Sequence, residues 1–374
     1  MADDLGSITM LTYVKESPAQ LRINVERRIE LTQGTVEAYL EREYRSIWII
    51  ACGSSFNASH CAVPFMRKYL GRDVFVVNPG SFLYSEHAPA DDTLCLVVSQ
   101  SGCSTNSIAA LDRLREMGIR AIGITGNLDS DFRDHADLEV DYGVGTEYVG
   151  YVTKGVVTLA EFLMLFALEA GHAQGTVGDD RYHRLVDQLS MVADVHSEVQ
   201  LRTDSFYDEH RRDLLSIGTN YVLGFDQAYG VACEGALKFG ETMKVPSFAY
   251  EAEEYNHGPH LQLTPAYTVF CVDDMNRGHE RIQKIYREAR YVSPHAFLLT
   301  GTPDASDPNV FAIPEKRPAE PLLEPLYLLP FFQIVAYRAT TELDCWRPNP
   351  LLAEAERFAP NKTENIKRIM PIGS

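Results

Sequence analysis

Short runs rich in valine, isoleucine and leucine recur along the chain, apolar at consecutive positions, with helix-compatible segments between them. SIWIIACG, DVFVVN, TLCLVVSQ, AIGITGN and LEVDYG form a first set, interrupted by amphipathic stretches such as STNSIAALDRLREMG. A strand that is apolar on both faces needs helices on both sides of its sheet, so the pattern predicts parallel strands in a doubly wound α/β layer. From about residue 215 the same grammar restarts with NYVLGF, SFAYEA, YTVFCVDD, AFLLTG and NVFAIP, with VACEGALKFGETM as a helix after the first of them. Each set closes with a long apolar helix, GYVTKGVVTLAEFLMLFALEA and then PLYLLPFFQIVAYRATTEL. One architecture used twice predicts five segments: a helical one over 1–40, a first α/β unit over 41–172, a helical connector over 173–214, a second unit over 215–345 and a tail over 346–374. Ser17 and Pro18 read as the N-cap and first turn of a helix through PAQLRINVERRIE.

Charge narrows the partners. The 374 residues carry 34 Lys and Arg against 52 Asp and Glu, a net charge of −18. That balance works against nucleic acid and anionic membranes, while a small phosphorylated ligand stays possible because backbone N–H groups and helix N-termini bind anions without net positive charge. Glu161 and the prolines 325 and 330 interrupt the two most apolar stretches, short of the ~20 residues that span a bilayer. The N-terminus lacks the basic start and apolar run of a secretory signal. Seven scattered cysteines without a Cys-x-x-Cys pair fit reduced thiols in the cytoplasm.

Four places carry residues suited to chemistry. Gly53, Ser54 and Ser55 end the first strand, where open parallel sheets bind ligands; an ordinary turn with a capping serine gives the same residues. VVSQSGCST is sharper: Ser99, Gln100, Ser101, Ser104 and Thr105 surround Gly102 just before a helix. Four hydroxyls in seven residues exceed what capping requires and suit phosphate oxygens at a helix N-terminus. Glu234, Lys238 and Glu241 fall on one helical face, either as a solvated ion-pair ladder or as a functional group. His257-Gly258-Pro259-His260 follows a run of acids; Gly-Pro breaks the helix that would bring the histidines together on a metal, so no metal site is expected. A loop histidine and a helix carboxylate can instead divide acid and base work. Cys52 and Cys103 read as buried, inert thiols, and no dinucleotide or P-loop glycine motif occurs.

In this order ACGSS (51–55), SQSGCST (99–105), GTEYVGYVTK (145–154), CEGALKFGE (233–241), YNHGP (255–259) and PFFQIVAY resemble the sugar isomerase (SIS) family. The likeness is to its double-SIS members, the isomerase half of glucosamine-6-phosphate synthase and the fructosamine-6-phosphate deglycases, over roughly residues 10–345. It implies two flavodoxin-like subdomains, each a five-stranded parallel sheet flanked by helices. It places a sugar phosphate on Ser55, Ser99, Gln100, Ser101 and Ser104, with Ser54 beside them, and Lys238 in the substrate site. It assigns proton transfer between C1 and C2 to Glu241 and ring opening to His257, with no cofactor.

Three departures bear on the reaction. The glutamine-hydrolysing domain is absent from the match, Cys103 stands where the family has Glu, and the synthase's Schiff-base lysine finds no clear counterpart, Lys362 being nearest. The resemblance therefore implies a deglycase or isomerase acting on a 6-phosphorylated ketosamine or amino sugar. An aldose–ketose isomerase, an amino-sugar-phosphate deaminase and a non-catalytic phosphosugar sensor are the alternatives. It also implies a homodimer in which His257 reaches the neighbouring subunit's site, and the two long apolar helices read as surface for that interface.

Overall fold

The computed structural model describes residues 8–84, 88–148, 150–304, 306–347 and 349–369. Its contacts divide into two units, one built mainly from Ala19–Val186 with the described part of the C-terminal tail, the other from Met10–Pro18 and Asp187–Arg347.

The first helices are α1 (Met10–Glu26) and α2 (Arg28–Leu40). Here the expected helix start is wrong. α1 begins a full two turns before Ser17, Pro18 lies inside it, and the Ser17 hydroxyl donates to the Tyr13 carbonyl instead of capping. A proline removes one helical N–H but keeps a helical φ, so the helix passes through it.

The first sheet alternates β1 (Ser46–Ile50), α3 (Ser54–Leu70), β2 (Asp73–Val77), α4 (Pro79–Tyr84), β3 (Thr93–Val98), α5 (Thr105–Glu116), β4 (Ala121–Thr125), α6 (Phe132–His135) and β5 (Leu138–Asp141), then closes with α7 (Lys154–Ala173). All pairings are parallel, in the order β2-β1-β3-β4-β5. β3 and β4 are buried at every residue, as continuous apolar runs require, whereas the edge strand β2 is partly exposed.

After α8 (Asp179–Leu215), whose backbone departs from helical geometry at His210, the second sheet repeats the plan. It comprises β6 (Asn220–Gly224), α9 (Asp226–Lys238), β7 (Ser247–Glu251), α10 (Ala252–Asn256), β8 (Thr268–Val272), α11 (His279–Val292), β9 (Ala296–Thr300), β10 (Val310–Ala312) and α12 (Pro325–Glu342). Its order, β10-β9-β8-β6-β7, is the same topology, with β6 in the place of β1. The tail adds α13 (Pro350–Ala355) and α14 (Ile366–Ile369). All ten strands coincide with the ten apolar runs, and the two-sheet architecture is the one anticipated.

Helix α7 is long and apolar enough to cross a membrane, but 83% of its apolar window is buried inside the fold, which makes it a core helix. Nearly all of α7 and α12 is buried in the fold, so their apolarity is consumed inside the chain and does not mark an interface. Close packing is strict here: a Cβ on Gly235 of α9 would meet the Phe332 ring of α12 at 2.7 Å.

Inside α7, Glu161 is fully buried and neither carboxyl oxygen has a hydrogen-bond partner among the described residues. Burial raises its pKa well above the usual 4.5, with only the Asn24 amide opposing. Because the folded state holds this proton more tightly than the unfolded chain, Glu161's contribution to stability is intact below pH ~4.5 and is lost as pH rises toward the folded value. Glu161→Met should therefore flatten the fall in melting temperature between pH 5 and pH 8 and raise stability at pH 8. Thermal unfolding of both proteins at the two pH values checks this, and an equal fall in each would contradict it.

Candidate functional site

In the first unit the strand order reverses direction at β1 and β3, and their carboxyl ends open side by side, the position where such sheets receive ligands. Gly53 leaves β1 at a positive φ of 58° and caps α3, which begins at Ser54. Ser54 is buried in the first turn and Ser55 half-buried beside it. Asn106, in the first turn of α5, donates from Nδ2 to Cys52 Sγ (3.4 Å) and ties this loop to the next.

The loop after β3 turns back on itself at Gly102, whose φ is 60° and where a Cβ would lie 1.9 Å from Ser130 Oγ. Only glycine fits that turn. It folds Ser99, Ser101 and Ser104 inward, all at least nine-tenths buried, with Ser99 Oγ donating to Ser104 Oγ (2.9 Å). The hydroxyls gather at the amino end of α5, where the helix dipole favours an anion. Cys103 in the same loop is buried and its thiol pKa is pushed up, chiefly by desolvation, which agrees with an inert thiol.

Gln100 has a different employment. Its Nε2 donates to Glu147 Oε2 (2.8 Å), while Glu147 also accepts from the backbone N–H groups of Thr153 (2.7 Å), Lys154 (3.1 Å) and Gly155 (2.7 Å). Glu147 thus caps α7 with its carboxylate and fixes the Gln100 side chain at the same time. Burial raises the Glu147 pKa, with these bonds opposing. The sequence pattern shows nothing of this role, because the cap comes from a loop residue seven positions upstream of the helix start.

Lys362, singled out in the sequence only as the residue nearest a Schiff-base lysine, donates from Nζ to Ser104 Oγ (2.7 Å) and Ser101 Oγ (3.1 Å). No spacing rule links a residue to a loop some 260 positions away.

The second unit holds the other candidates. Glu234 and Lys238 lie on α9 and are fully buried, so the solvated ladder is ruled out. Lys238 Nζ sits 2.9 Å from Glu234 Oε1 and 2.5 Å from Glu241 Oε1. After Lys238 the helix widens into a π-helical turn, Phe239–Met243, which carries Glu241 and ends at Lys244 in the left-handed region. Wide turns of this kind recur at functional sites. Glu241 keeps 27% of its side chain exposed, whereas its two partners keep none. Burial and the neighbouring Glu234 charge raise the Glu241 pKa despite Lys238. For Lys238, burial works against the charge, but Glu234 and Glu241 outweigh it and the pKa rises. One ammonium thus holds two carboxylates, leaving the partly exposed one as a strengthened base.

His257 closes α10, its N–H bonded to the Glu254 carbonyl (3.1 Å), with the imidazole exposed and making no hydrogen bond with a described residue. It is not brought to Glu241 within this chain's second unit. His260 faces the Tyr255 carbonyl (3.3 Å). Among the described residues no group of three or more His, Cys, Asp or Glu is placed to hold a metal ion. A surface hollow lined by Glu43, Arg45, Arg67, Gly71, Arg72 and Asp73 opens at the amino ends of β1 and β2, away from every residue of this site.

Residues 42–168 match the SIS domain family. The chain is 26% identical over 335 residues to glutamine–fructose-6-phosphate aminotransferase (isomerizing) of Bartonella quintana (strain Toulouse), covering 88% of this chain and 55% of that one. Against the enzyme of the same name from Clostridium tetani the figures are 28% over 256 residues, 67% and 42%. The chain thus spans about half the length of the curated relatives it matches. The fold is shared with the C-terminal domain of glucosamine-fructose-6-phosphate aminotransferase from Francisella tularensis (TM-score 0.79, 17% identity, 90% and 96% of the two chains). It is shared too with tagatose-6-phosphate ketose/aldose isomerase from Escherichia coli (TM-score 0.74, 15% identity, 92% and 96%).

Proposed function

We propose, from the premise that residues 42–168 are a SIS domain, that this chain isomerises or deglycates a 6-phosphorylated ketosamine or amino sugar in the cytoplasm. The observation that carries the reading is the convergence of the Ser99, Ser101 and Ser104 hydroxyls on the amino end of α5. A phosphate held there fixes one end of a sugar, and fixing that end positions the carbons that react. Ser54 and Ser55 extend the same edge, and Gln100, braced by Glu147, contributes by holding the loop.

Glu241 then takes a proton from C1 or C2 and returns it to the other carbon. Lys238 keeps one carboxylate oxygen engaged while burial and Glu234 raise the basicity of the group. This acid–base assembly favours an enzyme over a phosphosugar sensor, since a sensor needs only the serine loop. The names of the relatives and fold neighbours, which include an aminotransferase labelled isomerizing and a ketose/aldose isomerase, support sugar-phosphate isomerisation as the reaction class. The exposure of His257 supports a homodimer in which this side chain opens the sugar ring in the partner's site.

Replacing Ser101 and Ser104 together by Ala is expected to weaken binding of 6-phosphosugars at least tenfold, while shifting stability by only about 1 kcal/mol per lost hydrogen bond. Calorimetric titration with fructose 6-phosphate measures the first and urea unfolding the second. Undiminished affinity would remove the loop from the site.

A further inference from the structure

The tail returns to the serine loop as an extended segment. Thr105 N–H donates to the Asn361 carbonyl (3.2 Å), Thr363 N–H to the Cys103 carbonyl (2.9 Å), and Ser104 pairs with Lys362 in an antiparallel bridge. Past the bridge, Thr363 Oγ1 donates to Asp131 Oδ2 (2.5 Å), Asn365 Nδ2 to Asp131 Oδ1 (3.4 Å) and Arg368 to the Asp129 carbonyl (2.8 Å). These bonds latch the tail and aim Lys362 into the loop.

What Lys362 finds there is unusual for a lysine. Its partners are two neutral hydroxyls, and among the described residues it forms no ion pair. It also stands at the amino end of α5, where the helix dipole repels a cation. Desolvation further disfavours its charge and lowers its pKa. The hydroxyls complete the picture. Ser104 Oγ accepts from Ser99 Oγ and from Lys362 Nζ, and Ser101 Oγ accepts from the Cys103 N–H (3.3 Å) and from Lys362 Nζ. A hydroxyl has two acceptor positions and one proton. Both serines therefore have their acceptor sides filled and only their O–H protons left to give. Two uncommitted O–H donors, an ammonium without a counter-ion and a helix N-terminus are all served by a single kind of partner, an anion with several acceptor oxygens.

We propose that Lys362 is the cationic ligand for the phosphate group of the substrate, held in place by the Asp131 latch. The proposal rests on the phosphate reading of the serine loop and adds to it the group that supplies the charge. Asp131 is a positioning residue: it acts on phosphate only by fixing the tail.

The test compares the parent with Lys362→Met, Lys362→Arg, Asp131→Ala and the Ser101→Ala/Ser104→Ala double variant. Calorimetry with inorganic phosphate and with fructose 6-phosphate reads affinity, with unphosphorylated fructose as the reference. Loss of one charge-assisted contact predicts about 10- to 100-fold weaker binding of both phosphate probes to Lys362→Met, with no change toward fructose. Lys362→Arg should recover most of the loss, and Asp131→Ala should fall between parent and Lys362→Met. Parental phosphate affinity in Lys362→Met, with the double serine variant defective, would overturn the lysine assignment and leave the loop reading standing. Parental affinity in the double serine variant, or no uptake of either probe by the parent, would overturn the loop reading and the lysine assignment with it.

Discussion

Replacing Glu241 by Gln is expected to lower turnover of the phosphosugar substrate by ~10²–10⁴-fold, the usual contribution of a general base, while leaving substrate affinity within a few-fold. The amide keeps the shape of the side chain and can still accept from Lys238, but it cannot remove a carbon-bound proton. The arrangement sharpens the expectation, because the base is set by its surroundings: burial and Glu234 raise its affinity for a proton, and the π-helical turn presents it with 27% of its side chain exposed. Solvent deuterium should enter C1 or C2 of recovered sugar with the parent and not with the variant. Equal turnover by both proteins would end the assignment. The same variant reads the dimer proposal when it is refolded in equal amounts with His257→Ala. Mixed dimers with shared sites contain one intact site, so about a quarter of parental activity should return. No recovery, in a mixture shown to contain mixed dimers, would mean that His257 serves its own chain.

Lys238→Met should cost about 3–5 kcal/mol of folding stability, the usual consequence of removing one partner from a buried ion pair. Lys238 and Glu234 have no exposed side-chain surface, and they meet at 2.9 Å. Methionine fills much the same volume and removes the ammonium that meets Glu234. A shift in the urea midpoint at unchanged slope would report the loss. Adding Glu234→Gln to the same chain should recover a good part of it, because the neutral amide no longer needs a cation. Additive losses in the double variant would show that the two side chains are not coupled.

The parts of this molecule that were readable beforehand are those governed by local periodicity. Continuous apolar runs such as TLCLVVSQ demand burial on both faces, and every one of the ten became a parallel strand. The serine loop was readable because Gly102 and the hydroxyls around it lie within seven residues. What escaped depends on tertiary surroundings. The spacing of Glu234, Lys238 and Glu241 is the same for an exposed ladder and a buried one, and only the cover given by α12 and neighbouring elements distinguishes them. The π-helical turn leaves no mark in a pattern whose period is already 3.6. Lys362 and Glu147 act at distances along the chain, or from loop positions, that periodicity does not address. Pro18 misled for a different reason: its preference for a first turn is statistical, and the flanking residues carried the helix through it.

The repeated sheet order has a consequence for ligand discrimination. The loop after β8 occupies in the second sheet the place that the serine loop occupies after β3 in the first. There the residues are Asp273 and Asp274, both buried, with the fully buried Glu324 adding to the electrostatic load. Asp273 is already engaged by Thr300 Oγ1 (2.5 Å) and His279 Nδ1 (2.8 Å), and Asp274 accepts from the Gly278 N–H (2.9 Å). An incoming dianion thus meets two copies of one scaffold with opposite welcomes, hydroxyls and an ammonium in one, carboxyl groups in the other. On the phosphate reading proposed above, the duplication therefore does not double the binding capacity: the loop after β8 offers carboxyl groups where the loop after β3 offers hydroxyls and Lys362.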